Sequence, residues 1–165
     1  MKDADYWVRE LELLPHPEGG YFKETYRSDT FISREHLPVG FNGHRNISTS
    51  IFYLLAGSQC SKLHRIKSDE MWHFYAGRGL IIYSIDGKGK LTENKLGLDI
   101  ENGENPQVLI KAGDWFGATV NKPDSYCLAG CTVSPGFHFD EFEMGDRNEL
   151  LKLFPGHKAI IEKLT

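Results

Sequence analysis

Lys62-Leu63-His64-Arg65-Ile66-Lys67-Ser68-Asp69-Glu70-Met71-Trp72-His73-Phe74-Tyr75-Ala76-Gly77 carries the alternation that decides the fold. Side chains alternate on either side of a Ser68-Asp69 turn, so the stretch reads as two strands, near 60–66 and 70–76. Lys62, His64 and Ile66 share one face of the first strand. Glu70, Trp72 and Phe74 share one face of the second. With the two strands as antiparallel neighbours, His64 and Glu70 converge on one interior point. An imidazole beside a carboxylate is a general acid/base pair, because the carboxylate fixes the tautomer and raises the imidazole pKa. The same two groups could be two ligands of a metal, or a buried hydrogen bond with no chemistry. His73 has the opposite parity and joins them only if a bulge intervenes.

Outward from this stretch the period of two continues. Strands are expected near 47–56, 79–86, 89–96, 107–111, 114–120 and 125–134, with turn signals such as Asp86-Gly87-Lys88-Gly89, Ala112-Gly113 and Lys122-Pro123-Asp124 between them. Many short strands at this spacing make a sandwich or closed barrel. Tyr21–Arg27 alternates as a half-exposed strand, and 29–46 reads as a long loop. Helical spacing marks only the ends, at about 3–14 with Asp3 as N-cap, and at about 147–164 with Asp146 as N-cap and Glu149 three residues on. The expectation is one all-β domain over 1–165, with a barrel core at about 20–143 and a helix at each end.

Composition bounds the rest. A chain of 165 residues has room for one core. With 40% hydrophobic and 25% charged residues it falls in the globular range. The net charge is -4 and the basic residues form no stripe, which argues against nucleic acid as a partner. No apolar run approaches the roughly 20 residues of a membrane span. Met1-Lys2-Asp3-Ala4-Asp5 does not read as a signal peptide, so the cytoplasm is the expected compartment. Cys60, Cys127 and Cys131 are an odd number and read as small buried hydrophobes rather than a disulfide framework.

The central stretch also resembles the first cupin motif, G-x5-H-x-H-x3,4-E-x6-G. Gly57 precedes His64 by one residue more than the pattern asks, Ile66 takes the second histidine position, and Glu70 and Gly77 follow in place. Lys111-Ala112-Gly113-Asp114-Trp115-Phe116 echoes the second motif, with Phe116 in the place of its histidine and Val120 in that of its asparagine. His16-Pro17-Glu18-Gly19-Gly20-Tyr21-Phe22-Lys23-Glu24-Thr25-Tyr26-Arg27, Asp69–Gly77, Gly130–Phe137 and Phe139–Glu143 resemble the signatures of one branch, the cupin family of unknown function called DUF985. That resemblance implies a double-stranded β-helix barrel, a homodimer and no settled activity. The branch is also loosely similar to sugar-nucleotide 3,5-epimerases, which share the barrel and use no metal.

A cupin metal site offers three histidines and a glutamate, and on this alignment only His64 and Glu70 remain. Two ligands are too few for a tight transition-metal site, so no cofactor is expected. What remains is a pocket for a small molecule, with His64 and Glu70 as the catalytic candidates. Lys62, His73 and the aromatic residues Trp72, Phe74, Phe116, Tyr126 and Phe139 are its candidate ligand-binding wall. Rings in that number suit a flat or sugar-like ligand, although they also serve as plain core. The loop His16–Gly20 reads either as a rigid turn or as a mouth whose Glu18, or Glu24 and Arg27 on the next strand, reaches the ligand. The first functional expectation is a metal-independent isomerase or epimerase acting beside a carbonyl. The alternatives are a binding module without turnover and an atypical metal-dependent cupin. A homodimer is expected on physical grounds too, because Ile47–Leu55 is apolar on both faces, and an exposed apolar face calls for a cover.

Overall fold

The computed structural model describes residues 2–122 and 124–165; Met1, and Pro123 of the expected turn, lie outside the described residues. In chain order the elements are α1 (Ala4–Glu10), β1 (Leu14–Pro15), β2 (Tyr21–Arg27), β3 (Phe31–Ile32), β4 (Arg45–Asn46), β5 (Thr49–Ala56), β6 (Cys60–Arg65), β7 (Asp69–Gly77), β8 (Leu80–Ile85), β9 (Leu91–Leu96), β10 (Gln107–Ile110), β11 (Trp115–Val120), β12 (Tyr126–Ser134), β13 (Glu143–Met144), α2 (Arg147–Leu153) and α3 (Lys158–Lys163). The all-β barrel expectation matches this order. The N-terminal helix is shorter than expected. Asp3 caps it, accepting from the Tyr6 N–H at 2.8 Å. It ends where Glu12 takes a left-handed backbone (φ 54°), a position glycine more often fills. Leu14–Pro15 then pairs with β2. At the other end Asp146 accepts from the Glu149 N–H at 3.0 Å, as the capping spacing predicts.

The strands form two antiparallel sheets, β1-β2-β5-β12-β7-β10 and β13-β6-β11-β8-β9. From β5 to β12 the chain passes repeatedly between them, which winds a jelly roll. β6 and β7 are not neighbours but lie in opposite sheets, joined by the crossing at Ile66–Ser68. The crossing is pinned because the Gly113 N–H donates to the Ile66 carbonyl, while Asp69 takes Lys111 Nζ and the Ala112 N–H. His64 and Glu70 therefore meet across the barrel interior, not side by side on one sheet.

The main core fills the space between the sheets, with Trp72, Tyr53, Ile82 and Phe116 among its most buried members. A second cluster lies outside the second sheet, where Leu63, Tyr83 and Trp115 meet Leu150, Ile161 and Leu164 of the C-terminal segment. A third lies outside the first sheet, where Leu54 and Leu128 meet Leu13 and the apolar side of α1. The apolar outer face of β5 is thus covered in part by the chain's own N-terminal helix. Past that cover, Tyr75 and Leu109 stay exposed. Cys127 and Cys131 are buried, Cys60 is partly so, and all three are free thiols. No helix among the described residues is long and apolar enough to cross a membrane.

Candidate functional site

The polar centre is assembled by an irregularity in β6. His64 pairs with Phe116 and Ser61 with Ala118, so β6 carries one residue more than the facing β11. The extra residue is a β-bulge, which re-aims side chains. Gly117 stands opposite it; a Cβ there would lie 2.6 Å from the Ser61 carbonyl oxygen and 3.1 Å from the Leu63 nitrogen. The bulge breaks the alternation on which the sequence reading of this strand rested. Ser61 and His64 are buried, whereas Lys62 is exposed.

The bulge also frees backbone groups for the loop His16–Gly20. The Lys62 N–H donates to the Glu18 carbonyl at 2.8 Å. The Lys62 carbonyl lies 2.7 Å from His64 Nδ1; a carbonyl only accepts, so Nδ1 carries a proton. His64 Nε2 stands 3.0 Å from Glu18 Oε2, and Ser61 Oγ donates to Glu18 Oε1 at 2.8 Å. Two glycines make this approach feasible. A Cβ on Gly19 would collide with the Cys60 carbonyl oxygen, and one on Gly20 would come within 2.5 Å of the Leu54 carbonyl oxygen. Both also have left-handed backbones, with φ of 114° and 70°. Tyr53 completes the seat by donating to the Gly19 carbonyl at 2.7 Å.

Charge follows from this geometry. Burial alone would lower the pKa of His64, but the Glu18 charge and hydrogen bond, the Lys62 carbonyl and the Glu70 charge outweigh it, and the imidazole is raised. Burial alone would raise Glu18, but His64, His16 and Ser61 outweigh it, and the carboxyl is lowered. The pair is therefore an imidazolium and a carboxylate, each fully hydrogen-bonded. His16 goes the other way: burial lowers it more than the Glu18 charge raises it. As a neutral ring it accepts the Glu18 N–H on Nδ1 at 3.3 Å, which leaves the proton on Nε2. Glu70, facing them from β7, is pushed up to about 7 by burial and by the Glu18 charge, against the pull of His64 and the Cys131 thiol.

These groups line a cavity of about 190 Å³ between the sheets. Its other walls are largely apolar, with Phe22, Ile51, Ile66 and Val133 inside and Phe137 and Phe142 toward the mouth. The mouth is also bordered by Arg27, which Glu24, Asn46 and the Phe137 carbonyl already hold. The segment that bears Phe137–Phe142 is tied to β4 by a buried ion pair, Arg45 with Glu141. Trp72 lines the cavity at 1% exposure, and its Nε1–H, itself fully buried, has no hydrogen-bond partner among the described residues.

The residues singled out from the sequence distribute unevenly. His64, Glu70, Trp72 and Phe139 line the cavity. Phe116 backs His64, with ring centroids 4.1 Å apart, and Phe74 packs against the core. Three lie elsewhere. Lys62 contributes backbone only. His73 lies between Thr132 Oγ1 at 3.1 Å and Gln107 Nε2 at 3.1 Å, because no bulge reverses its parity. Tyr126 lies outside the barrel, where its hydroxyl accepts from Trp7 Nε1 and donates to the Lys2 carbonyl. His16 and Ser61 were not singled out from the sequence. For His16 the signal was the Gly19-Gly20 pair on its loop, which marks a close backbone approach; for Ser61, on β6, there was none.

A cupin metal does not fit these residues. Ile66 and Phe116 offer no donor, His64 is engaged at both nitrogens, and among the described residues no three His, Cys, Asp or Glu side chains converge on one ion position.

The family model described as Cupin superfamily (DUF985) matches residues 5–145. The uncharacterized protein YML079W of Saccharomyces cerevisiae is 31% identical over 165 residues, covering 94% of this chain and 81% of its own. Among solved structures, protein SO0799 from Shewanella oneidensis superposes with a TM-score of 0.89 at 42% identity, over 100% of this chain and 98% of its own. A hypothetical protein from Leishmania major superposes with a TM-score of 0.90 at 32% identity, over 99% and 98%. Oxalate decarboxylase from Bacillus subtilis shares the fold alone, at 16% identity and a TM-score of 0.54 over 91% of this chain and 36% of its own.

Proposed function

The chain belongs to the DUF985 family of the cupin superfamily, and from that premise we propose that its barrel cavity binds a small carbonyl compound and moves a proton on the carbon beside the carbonyl, without a metal. The observation that carries this reading is Glu70, a buried carboxyl at the cavity wall whose pKa is about 7. A general base is most useful when its pKa lies near the working pH. Sequence reading assigned the proton to His64 and orientation to Glu70. The hydrogen bonds support the reverse. Both His64 nitrogens are occupied, so it acts as a fixed positive charge, whereas Glu70 pairs with no lysine or arginine among the described residues.

In the proposed step the Glu70 carboxylate takes the proton and the C–H electron pair becomes an enolate. The His64 charge stabilises the enolate oxygen, since a charge already in place in a dry site needs no reorganisation. Return of the proton by Glu70 to a neighbouring atom on the same face gives isomerisation.

The test is proton exchange. Small carbonyl compounds, both oxo acids and keto sugars, are incubated with the protein in D2O and followed by proton NMR. Loss of the signal beside the carbonyl with wild type, and at least a hundredfold slower loss with Glu70→Gln, is the expected result, general acid–base groups contributing roughly 10²–10⁴-fold. Saturable binding with no exchange by wild type would leave the barrel as a binding module and reject the catalytic reading.

A further inference from the structure

Every charge on the cavity wall but one is answered by an opposite charge already in place. His64 and Glu18 are joined at 3.0 Å. At the mouth Arg27 holds Glu24 at 2.7 Å. His138, half-exposed at the rim, has Asp140 Oδ2 3.3 Å from its Nδ1. The Tyr53 hydroxyl and the Cys131 thiol stay neutral, because burial raises both well above their ordinary values, and His16 is the neutral ring described above. Glu70 is left over. It lines the cavity at 8% exposure and has no lysine, arginine or histidine at ion-pair distance among the described residues. Of the groups around it, only His64, Glu18 and the Cys131 thiol bear on its charge, and the first two pull in opposite directions.

The rest of the site suits the charge that is missing. Phe137, Phe139 and Phe142 pack edge to face along the mouth, with ring centroids 4.9, 5.8 and 6.2 Å apart, and Phe22 borders the same space. Ring faces attract a cation and ask for no hydrogen bond in return. An anionic ligand would set a second negative charge beside Glu70. A neutral one would leave the carboxylate as unmatched as it is in the empty cavity. We propose that the cavity takes a carbonyl compound that also carries a substituted ammonium group, whose charge pairs with Glu70 and whose alkyl groups meet the rings of the mouth. The inference rests on the reading of the cavity as a carbonyl site and names the charge class of its substrate. It also completes the proposed step. A carboxyl at about 7 is half protonated in the free protein at neutral pH, and a cation beside it favours the ionised form, so the ligand brings the base into its working state as it binds.

Titration calorimetry on the intact protein tests the proposal with three ketones. Acetonyltrimethylammonium and 4,4-dimethylpentan-2-one have the same shape and differ only in that the first carries a permanent positive charge; 4-oxopentanoate carries a negative one. At pH 7.5 the cation should bind about tenfold or more tighter than its neutral isostere, and 4-oxopentanoate more weakly than either. Glu70→Gln should cut the preference to about threefold, the share left to the ring faces. A second readout needs no variant. At pH 7, titrations in buffers of different ionisation enthalpy should show about half a proton released per cation bound, and none released with the neutral ketone. Equal binding of the two isosteres by wild type, a preference that survives Glu70→Gln undiminished, no proton release, or no binding of the cation would overturn the proposal. These outcomes separate from those of the exchange experiment. A cation that binds with the expected preference but exchanges no proton sinks the catalytic reading alone. An oxo acid or keto sugar that exchanges while the cation does not bind sinks this one alone.

Discussion

Glu70→Gln tests the electrostatics of the cavity without any ligand. The carboxyl ordinarily titrates at 4.5 and is pushed up to about 7 when buried opposite Glu18. Between those values the folded chain holds a proton that the unfolded chain has lost. The group's contribution is therefore fully present below pH 4.5, is lost as the pH rises through 7, and is constant above that. At about 1.36 kcal/mol per pH unit, an ionised Glu70 makes the fold about 3 kcal/mol less stable at pH 8 than a protonated one. Glutamine has the shape of the protonated acid and cannot ionise. The stability of Glu70→Gln minus that of wild type should therefore climb by about 3 kcal/mol between pH 4.5 and 8, at about 1.4 kcal/mol per unit, then flatten. Subtraction cancels the other titrating groups, including most of the His64–Glu18 pair. Urea denaturation followed by tryptophan fluorescence at six pH values, at one fixed protein concentration, gives the curve. A difference constant to within about 1 kcal/mol, roughly the extrapolation error, would refute the electrostatic argument.

Four further outcomes are expected. Glu18→Gln removes the counter-charge that holds His64 protonated, so its imidazole pKa should fall below the ordinary 6.5 under the desolvation that is its largest single influence; a ring still charged at pH 7 by nitrogen NMR counts against the pairing. A double-mutant cycle of Glu18→Gln with His64→Gln should return a coupling of about 3 kcal/mol, as for a buried pair, and a value near zero would show the two side chains to be independent. Gly117→Ala drives a methyl group into the β6 bulge and should cost about 1–3 kcal/mol in urea denaturation, with the His64 resonances displaced; a silent substitution would mean that the bulge does not rest on that contact. For assembly, light scattering should give twice the 18.8 kDa chain mass and Tyr75→Asp should lower it to the single-chain value; a constant single mass for wild type would leave the N-terminal helix as the whole cover of the first sheet.

How much of this was legible depended on whether a rule of period two held. In β7 it held at the working end: Glu70 and Trp72 alternate inward and His73 outward, and the sequence assigned all three parities. In β6 it failed at the one place that mattered. The bulge at Ser61–His64 is invisible in the pattern because its cause is Gly117, more than fifty residues away on another strand. Lys62 was therefore put inside and Ser61 overlooked. The pairing of β6 with β7 also failed. A two-residue turn signal looks the same whether the chain folds back in one sheet or crosses to the other, and only the contacts of Asp69 and Gly113 decide. Tyr126 belongs to a strand that is apolar on both faces, so nothing in its neighbours told barrel interior from the surface under α1. Glu18 was readable as one alternative, because glycines in tandem signal a backbone pressed against another, but the partner they were pressed against was not.

The buried Arg45–Glu141 pair has a consequence for how the molecule could change over time. It fastens the mouth segment at a point outside the cavity, while the proton-handling side chains stand on β6, β7 and the loop His16–Gly20. Phe137, His138 and Phe139 can then be exchanged without disturbing His64, Glu18 or Glu70, provided Glu141 and Arg45 stay together. Selectivity and chemistry are inherited on separate pieces of chain. A library randomised only at those three positions would alter which molecules enter while the same reaction runs beneath them.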